Sequence, residues 1–232
     1  MTDAMPAGDP LAPQDEAIAG FALDGTVKGV PPGAQLRLDA VGAQGWHLPA
    51  MPLPLAVLRV DVMRRNARWM ADFAQRNGLS LCPHGKTTMA PQLWNLQIAE
   101  GAWGITVATA HQLQVARRFG VTRAIWANQP IGRLAVDAAF DALRDPDFRL
   151  YVLADSLAVV AGLSAGAARA GLSRSLDVLL EVGALGGRTG ARDAATAMQV
   201  ARAIAAAPGL ALAGVEAFEG LLADTAQVDA FL

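Results

Sequence analysis

The sequence is poor in cysteine and in lysine. Cys82 is the only cysteine among 232 residues, which excludes an internal disulfide and favours a reducing compartment. Of the 19 basic residues only Lys28 and Lys86 are lysines, so arginine supplies nearly all of the positive charge. A lysine in a turn is commonly a solvated charge, but only lysine can lose its proton when desolvated. Lys86 is therefore a candidate for attack on a carbonyl group to form a Schiff base.

A strong net charge and a long apolar run are also absent. The net charge of -2 gives no electrostatic signature of nucleic-acid binding. The longest apolar stretch, residues 203–215, is broken by Pro208 and Gly209 and is too short to span a bilayer. The acidic N-terminus lacks the basic residues of a signal peptide. With 53% hydrophobic residues, the sequence predicts a cytoplasmic globular protein without nucleic-acid or membrane partners.

From Leu79 onward, apolar strand-like runs alternate with helix-like periods. Six strands are predicted over residues 79–82, 103–108, 124–127, 149–154, 176–182 and 210–218. Helices are predicted over residues 91–100, 109–120, 133–143, 155–171 and 193–206, with a last one opening near Ala223. Strictly alternating units with near-continuous apolar strands are typical of an α/β fold with a parallel sheet.

Two features favour a barrel over a doubly wound sheet. No GxGxxG turn follows the first strand, so the dinucleotide-binding fingerprint is missing. Polar side chains also follow several different strands, as at the catalytic face of a barrel. These side chains are His84, Lys86, Thr109, Asn128, Gln129, Asp155, Arg188 and Glu219, of which Thr109 and Asp155 are more readily explained as helix caps. We therefore predict a (β/α)8 barrel.

The barrel is expected to be incomplete. Residues 1–50 are rich in proline and glycine and are interpreted as an N-terminal arm, followed by a barrel domain over residues 51–232. Residues 55–60 are interpreted as a strand, with Asp61 as the N-cap of a helix that ends at Gly78. Only about six strand–helix units precede Leu232, so we expect a longer natural enzyme or a fragment.

The residues around Lys86 resemble a known family. The turn His84-Gly85-Lys86-Thr87 is the most specific part of the resemblance. Further matching segments are residues 23–33, 53–70, 83–93, 101–109, 181–190 and 214–220. Together they resemble the amino acid deaminase branch of the D-serine dehydratase and D-threonine aldolase family. These are pyridoxal 5'-phosphate enzymes of fold type III, with an alanine racemase-type barrel and a C-terminal β-domain.

The resemblance implies a set of site residues. Lys86 would be the catalytic lysine that forms the Schiff base with pyridoxal phosphate. His84, Thr87, Arg188, Thr189 and Gly190 would complete the cofactor site. No metal ligands are predicted in this chain, because three scattered histidines and one cysteine lack ligand spacing. Where family members use a divalent metal, the missing C-terminal domain would bind it.

The resemblance also implies an activity. We expect a lyase that deaminates or dehydrates small D-amino acids of the D-serine or D-threonine type, and that forms a homodimer when complete. One alternative is retro-aldol cleavage of the D-threonine aldolase type, which Thr88 and Met89 disfavour because they replace a basic pair. A second alternative is a non-catalytic protein that binds pyridoxal phosphate, or an inactive fragment.

Overall fold

The structure, a computed structural model, describes residues 16–231, which form two compact units. The first unit comprises residues 16–81 and 88–103, and the second comprises residues 82–87 and 104–231. The part of the N-terminal arm before Glu16 lies outside the described residues. The predicted boundary between arm and barrel near residue 50 stays a prediction.

The first unit is mainly helical, with one small hairpin. Its elements are α1 (Glu16–Ala19), β1 (Ala22–Asp24), β2 (Gln35–Arg37), 3-10 helices Leu38–Gln44 and Leu48–Ala50, α2 (Val60–Arg76) and α3 (Pro91–Ala99). Strands β1 and β2 pair in antiparallel fashion. Helix α3 begins at a proline, whose fixed φ and missing N–H suit the first helical position.

Two predictions in this unit are wrong. Residues 55–59 do not form a strand, and α2 already begins at Val60. Val57 and Leu58 are about two-thirds exposed, and the structure shows no neighbouring strand that pairs with them among residues 16–231. Apolar character alone does not make a strand without a partner. Asp61 is not the N-cap, which is Arg59, but an acidic residue of the first helical turn.

The second unit contains the predicted alternation of strands and helices. It consists of β3 (Ile105–Val107), α4 (Ala110–Arg118), β4 (Arg123–Trp126), α5 (Arg133–Ala142), β5 (Arg149–Ala154), α6 (Leu157–Ala170), β6 (Leu176–Val182), α7 (Ala194–Ala206), β7 (Leu210–Ala217), a 3-10 turn Glu219–Leu221 and α8 (Thr225–Phe231). Five of the six predicted strands are therefore confirmed, and β5 and β6 have the predicted bounds. None of the helices between residues 16 and 231 is long and apolar enough to span a lipid bilayer.

The five strands form one parallel sheet in chain order, β3-β4-β5-β6-β7. Each new strand adds on the same side, so the strand order does not reverse anywhere in the described sheet. A doubly wound sheet would contain such a reversal. This arrangement is that of a barrel wall and confirms the α/β fold. All strands point the same way, so their carboxyl ends lie along one edge of the sheet.

Burial explains why these segments form the sheet. Side chains of neighbouring strands, such as Ile105, Leu150, Val152, Leu176 and Val178, are at most 1% exposed. They are covered by apolar helix faces, whose most buried members include Leu113, Phe140, Leu163 and Ile204. Strands buried on both sides require the continuous apolar runs seen in the sequence.

The first predicted strand, residues 79–82, forms no regular strand. Only His84 pairs with β3, through a single bridge to Thr106. Gly85 N–H donates to Thr106 O, and Thr106 N–H donates to Pro83 O. The next bond of a parallel ladder would need a backbone donor at residue 83, and proline has none. Pro83 thus interrupts the ladder, and a further backbone bond runs from Trp103 N–H to Leu81 O at 2.7 Å.

A bulge interrupts the pairing of β6 with β7. Val178 is opposite Leu212, but Leu179 is opposite Gly214, so β7 contains one extra residue. Beyond the bulge, Glu181 is opposite Glu216. Without it, the earlier register would place Val215 opposite Glu181, and Glu216 would point to the other face.

Helix caps confirm one prediction and correct another. Thr109 caps α4, because its side chain accepts a hydrogen bond from Gln112 N–H at 3.2 Å. Asp155 does not cap α6. The cap is Ser156, which accepts from Val159 N–H, and Asp155 accepts instead from Gly190 N–H at 3.2 Å. Ser156 directly follows Asp155, and serine is as good an N-cap as aspartate.

Candidate active site

Lys86 follows a backbone segment that one threonine fixes to the sheet. Thr106 donates from its N–H to Pro83 O at 2.7 Å and accepts from Gly85 N–H at 2.8 Å. Its hydroxyl group donates to Cys82 O at 2.6 Å. Lys86 is the first residue beyond these bonds, and its carbonyl accepts from Gln112 Nε2 at 3.4 Å. The half-buried lysine side chain therefore starts from a fixed backbone position.

A buried glutamate lies at the end of β6. Glu181 is only 3% exposed, and both of its carboxylate oxygens accept hydrogen bonds. Gln129, which follows β4 and is buried, donates to one oxygen, and the Thr189 hydroxyl group donates to the other. Glu181 therefore connects the loop after β4 to the loop after β6 through hydrogen bonds.

The loop after β6 is held in a close-packed conformation. Gly190 has a φ of +98°, and a Cβ atom there would lie 2.5 Å from Gly183 N, so only glycine fits. Its N–H donates to the Asp155 carboxylate. Arg192 donates to Ala184 O and, at 2.9 Å, to Gly187 O. The loop backbone is thus fixed from both sides.

Arg188 is the exposed cation of this loop. Its guanidinium group lies over the Phe218 ring, 5.4 Å from the centroid. Partial desolvation, and then the positive charges of Lys86 and Arg188, lower the pKa of His84 below its usual value. Because these charges act on one imidazole, His84, Lys86 and Arg188 share one electrostatic environment. His84 is correspondingly held neutral at physiological pH.

Glu216 on β7 is a second carboxyl group of the same edge. Its Oε2 atom is buried and has no hydrogen-bond partner among the described residues. Partial burial, and then the negative charge of Glu181, raise the pKa of Glu216 to about 7. Glu219 raises this pKa further, and Arg188 lowers it.

An open groove begins at Gln129 and Thr189, the two hydrogen-bond donors of Glu181, and extends between α5 and α6. It has a volume of about 580 Å³ and is lined by polar residues that follow three strands, Gln129, Asp155 and Thr189. Its apolar lining includes Pro130, Ile131 and Val159. A concave apolar space with a few convergent polar groups is the usual form of a small-molecule site.

Most of the site residues predicted from the sequence are linked in the structure by charge interactions or by hydrogen bonds. The charges of Lys86 and Arg188 both act on His84, and Thr189 and Gly190 hold the loop that carries Arg188. The Thr189 hydroxyl group and the Gly190 N–H already have protein partners, so their direct contact with a cofactor stays a prediction. Thr87 is exposed in the turn, and its role also stays a prediction.

Sequence reasoning missed Glu181 and Glu216 as site residues. The available signal was a glutamate next to the last residue of each of two largely apolar strands, LDVLLEV and LALAGVEA. Charged side chains in buried strands are rare unless they are paired or functional. Among residues 16–231, no group of three or more His, Cys, Asp or Glu side chains could hold a metal ion.

No protein-family model matches the chain. Among curated proteins, 3-hydroxy-D-aspartate aldolase of Paracoccus denitrificans (strain Pd 1222) is 27% identical over 187 residues, which are 77% of this chain and 48% of that protein. D-threo-3-hydroxyaspartate dehydratase of Delftia sp. (strain HT23) is 30% identical over 137 residues, which are 59% of this chain and 35% of that protein. The chain spans about half the length, or less, of the curated relatives it matches.

Solved structures agree with these relatives. D-threonine aldolase from Filomicrobium marinum matches with a TM-score of 0.67 and 31% identity, over 72% of this chain and 44% of that one. Alanine racemase from Bacillus anthracis has 16% identity and shares the fold, with a TM-score of 0.56 over 73% of this chain and 43% of that one. By sequence and by fold, the chain is therefore similar to D-threonine aldolase and D-threo-3-hydroxyaspartate dehydratase, and its α/β barrel segment has the fold of alanine racemase.

Proposed function

We propose that this chain is the cofactor-binding part of a pyridoxal phosphate-dependent lyase that acts on small D-amino acids. The observation that carries the proposal is the position of Lys86. This half-buried lysine follows a fixed segment at the carboxyl edge of a parallel sheet, beside His84 and Arg188. The relatives described above, two aldolases and a dehydratase, support a lyase.

The residues present fit pyridoxal phosphate. A lysine amine, a cationic guanidinium group, a glycine-rich loop and an adjoining groove are the groups that such a cofactor needs. When bound, the cofactor withdraws electrons from the α-carbon of an amino acid. Lys86 would hold its aldehyde carbon covalently, and Arg188 would bind an anionic group of cofactor or substrate.

Lys86 is the residue that we expect to transfer the proton. Its Nζ atom would be the base that takes the α-proton of the substrate. His84, whose pKa is lowered by partial desolvation and then by the neighbouring positive charges, would not compete for an anion but could accept or donate a hydrogen bond. Departure of a β-hydroxyl group after α-proton removal gives, after hydrolysis, a keto acid and ammonia.

Retro-aldol cleavage is the second candidate function. The 27% identity to 3-hydroxy-D-aspartate aldolase and the match to D-threonine aldolase favour it. Thr88 and Met89, in place of a basic pair, favour deamination instead. The cytoplasmic location, the homodimer and a metal in a further domain stay predictions.

One experiment tests both the cofactor lysine and the reaction. The chain is incubated with pyridoxal phosphate and reduced with borohydride, and its peptides are mapped by mass. We expect the pyridoxyl group on Lys86, and a Lys86→Ala variant should lose it. A parallel incubation with D- and L-threonine measures 2-oxobutanoate, glycine and acetaldehyde.

The outcomes separate the alternatives. Lys28 is the matched control for labelling, because it is the other lysine of the chain. A label on Lys28, or none, would refute the assignment of Lys86. Oxobutanoate from D-threonine supports deamination, whereas glycine with acetaldehyde assigns aldol cleavage. A label on Lys86 without any product would leave a binding protein in place of an enzyme.

A further inference from the structure

The groove between α5 and α6 extends well beyond the candidate active site. It begins at the hydrogen-bond donors of Glu181 and continues along α6 from Ser156 to Arg169. These two residues of α6 lie about 20 Å apart, because a helix rises 1.5 Å per residue. The three residues that carry the proposed lysine chemistry do not line the groove, namely His84, Lys86 and Arg188.

A glycine leaves the middle of this groove open. Gly162 lines it, and a Cβ atom at this position would meet no atom within 4 Å. Ala158 and Ala165 line the groove on the same face of α6, and Val136 lines it from α5. The open space is therefore bounded by apolar groups, and a longer side chain at position 162 would fill it.

The end of the groove near β4 is apolar and open to water. Ile131 lines this end and is 74% exposed, and Pro130 and Val159 also line the groove. Its volume of about 580 Å³ is within the range of small-molecule pockets, about 300–1,000 Å³. An apolar group that entered the groove would therefore remove Ile131 from water.

Two arginines share one carboxylate at the other end of the groove. Arg169 donates from Nε and Nη2 to Asp137 Oδ1, at 3.2 and 2.6 Å, and Arg133 donates from Nε to Asp137 Oδ2 at 3.4 Å. Within residues 16–231, no hydrogen bond engages either terminal nitrogen of Arg133 or the Nη1 atom of Arg169. Both arginines line the groove, and two guanidinium groups with one carboxylate leave one positive charge uncompensated.

We infer that this groove is a second binding site, which takes a monocarboxylate with an unbranched apolar chain. The carboxylate binds Arg133 and Arg169, and the chain lies along Gly162 toward Ile131. A guanidinium group matches a carboxylate in its planar geometry, and one uncompensated positive charge suits a monoanion. The inference uses no residue of the lysine chemistry, so it is independent of the proposed function.

Isothermal titration calorimetry of the whole chain with octanoate tests the chemistry of the ligand. We expect one octanoate per chain and an affinity for octanol that is at least ~10-fold lower, because octanol lacks the charge. Octylammonium and acetate are the controls for charge sign and for the chain, and neither should bind measurably. Arg133→Gln should weaken octanoate binding by about 10-fold and leave octanol binding unchanged. This exposed arginine contributes little to folding.

Leucine substitutions on α6 test the location of the site. Gly162→Leu fills the groove, so we expect the octanoate affinity to fall at least ~10-fold, while circular dichroism shows a folded chain because leucine favours a helix. Ala165→Leu is a second obstruction at an exposed position of the groove. Ala161→Leu is the matched control, because Ala161 is exposed on α6 and does not line the groove, and it should retain the affinity.

No octanoate binding at millimolar concentration, or equal affinities for octanoate and octanol, would overturn the inference. Octanoate affinity that survives both Gly162→Leu and Ala165→Leu would also overturn it, because octanoate would then bind elsewhere. The titrations contain no pyridoxal phosphate, so their reading does not depend on whether Lys86 is labelled.

Discussion

Two arginines of the loop after β6 differ in what they contact. Arg192 donates to two backbone carbonyls of the loop, whereas Arg188 lies over the Phe218 ring with its guanidinium group exposed. The hydrogen bonds of Arg192 stabilise the folded loop, and the donors of Arg188 are available to a ligand. The same residue type thus has a structural role at one position, and at the other we propose a binding role.

We predict that Arg188→Ala weakens the binding of pyridoxal phosphate, measured by absorbance titration, by at least ~10-fold, the loss of about one charge-assisted hydrogen bond. Its melting temperature should change little, because exposed side chains contribute little to folding. Arg192→Ala is the matched comparison and should lower the melting temperature, because two loop carbonyls lose their donor. A destabilised Arg188→Ala variant with normal cofactor affinity would contradict the binding role.

Some features of single residues could be predicted from the sequence, and others could not. The position of Lys86 was predictable because a rare lysine follows a strand-like run. The role of Asp155 was not, because the hydrogen bond from Gly190 joins loops 35 residues apart in the chain. The pair of Glu181 and Glu216 depends on a bulge whose position no local pattern reveals.

At the scale of elements, α5 and α6 pack closely at one glycine. A Cβ atom at Gly166 would lie 2.2 Å from Val136 Cγ1 and 2.9 Å from Phe140 Cε2, both on α5. Gly162, one turn earlier on α6, would place its Cβ atom in open space. The two glycines share a helix and differ only in their surroundings.

Alanine substitutions at the two glycines should therefore change stability in opposite directions. Gly162→Ala should raise the free energy of unfolding by ~0.5–1 kcal/mol, because alanine has the higher helix propensity. Gly166→Ala should lower it by ~1–3 kcal/mol, because the added methyl group overpacks a contact with a β-branched valine. Urea denaturation measures both, and equal stabilisation of the two variants would show that the α5–α6 contact is loose.

The elements also show what a single sequence can predict. Strands buried on both faces and helices with clear caps were found at nearly their observed bounds, because burial and capping are local signals. Residues 55–60 and 79–82 have the same apolar character but lack regular pairing in the described structure, owing to exposure in one case and Pro83 in the other. Whether a segment pairs into a sheet depends on the residues that lie beside it in the folded chain, and the sequence of the segment alone does not show them.

For the whole molecule, stability should fall as pH rises through the range in which Glu216 loses its proton. The pKa of Glu216 is about 7 in the folded chain, compared with an ordinary value of 4.5. Between these values the folded chain holds a proton that the unfolded chain has released, so its stability decreases as pH rises. His84 acts in the opposite direction below its ordinary value of 6.5, because its folded pKa is lowered.

Comparison with Glu216→Gln isolates the contribution of this carboxyl group. Urea denaturation at a pH of about 5.5 and of about 8 should show that the variant loses less stability than the unmodified chain over this interval. Glu219→Gln is the control and should behave nearly as the unmodified chain does. An identical pH dependence in all three would mean that Glu216 is ionised throughout and that its surroundings are well solvated.

The bulge in β7 makes the chemistry of this edge depend on the pairing register. Side chains in a strand alternate between two faces, so a shift of the register by one residue exchanges the two sets. A homologue without the residue corresponding to Ala213 would keep the two glutamates opposite each other without a bulge, whereas one that kept every residue but paired regularly would present a valine to Glu181. Relatives that look alike in a gapless alignment of this strand can therefore differ in the acidity of the site. The register of the strand is as informative as its composition.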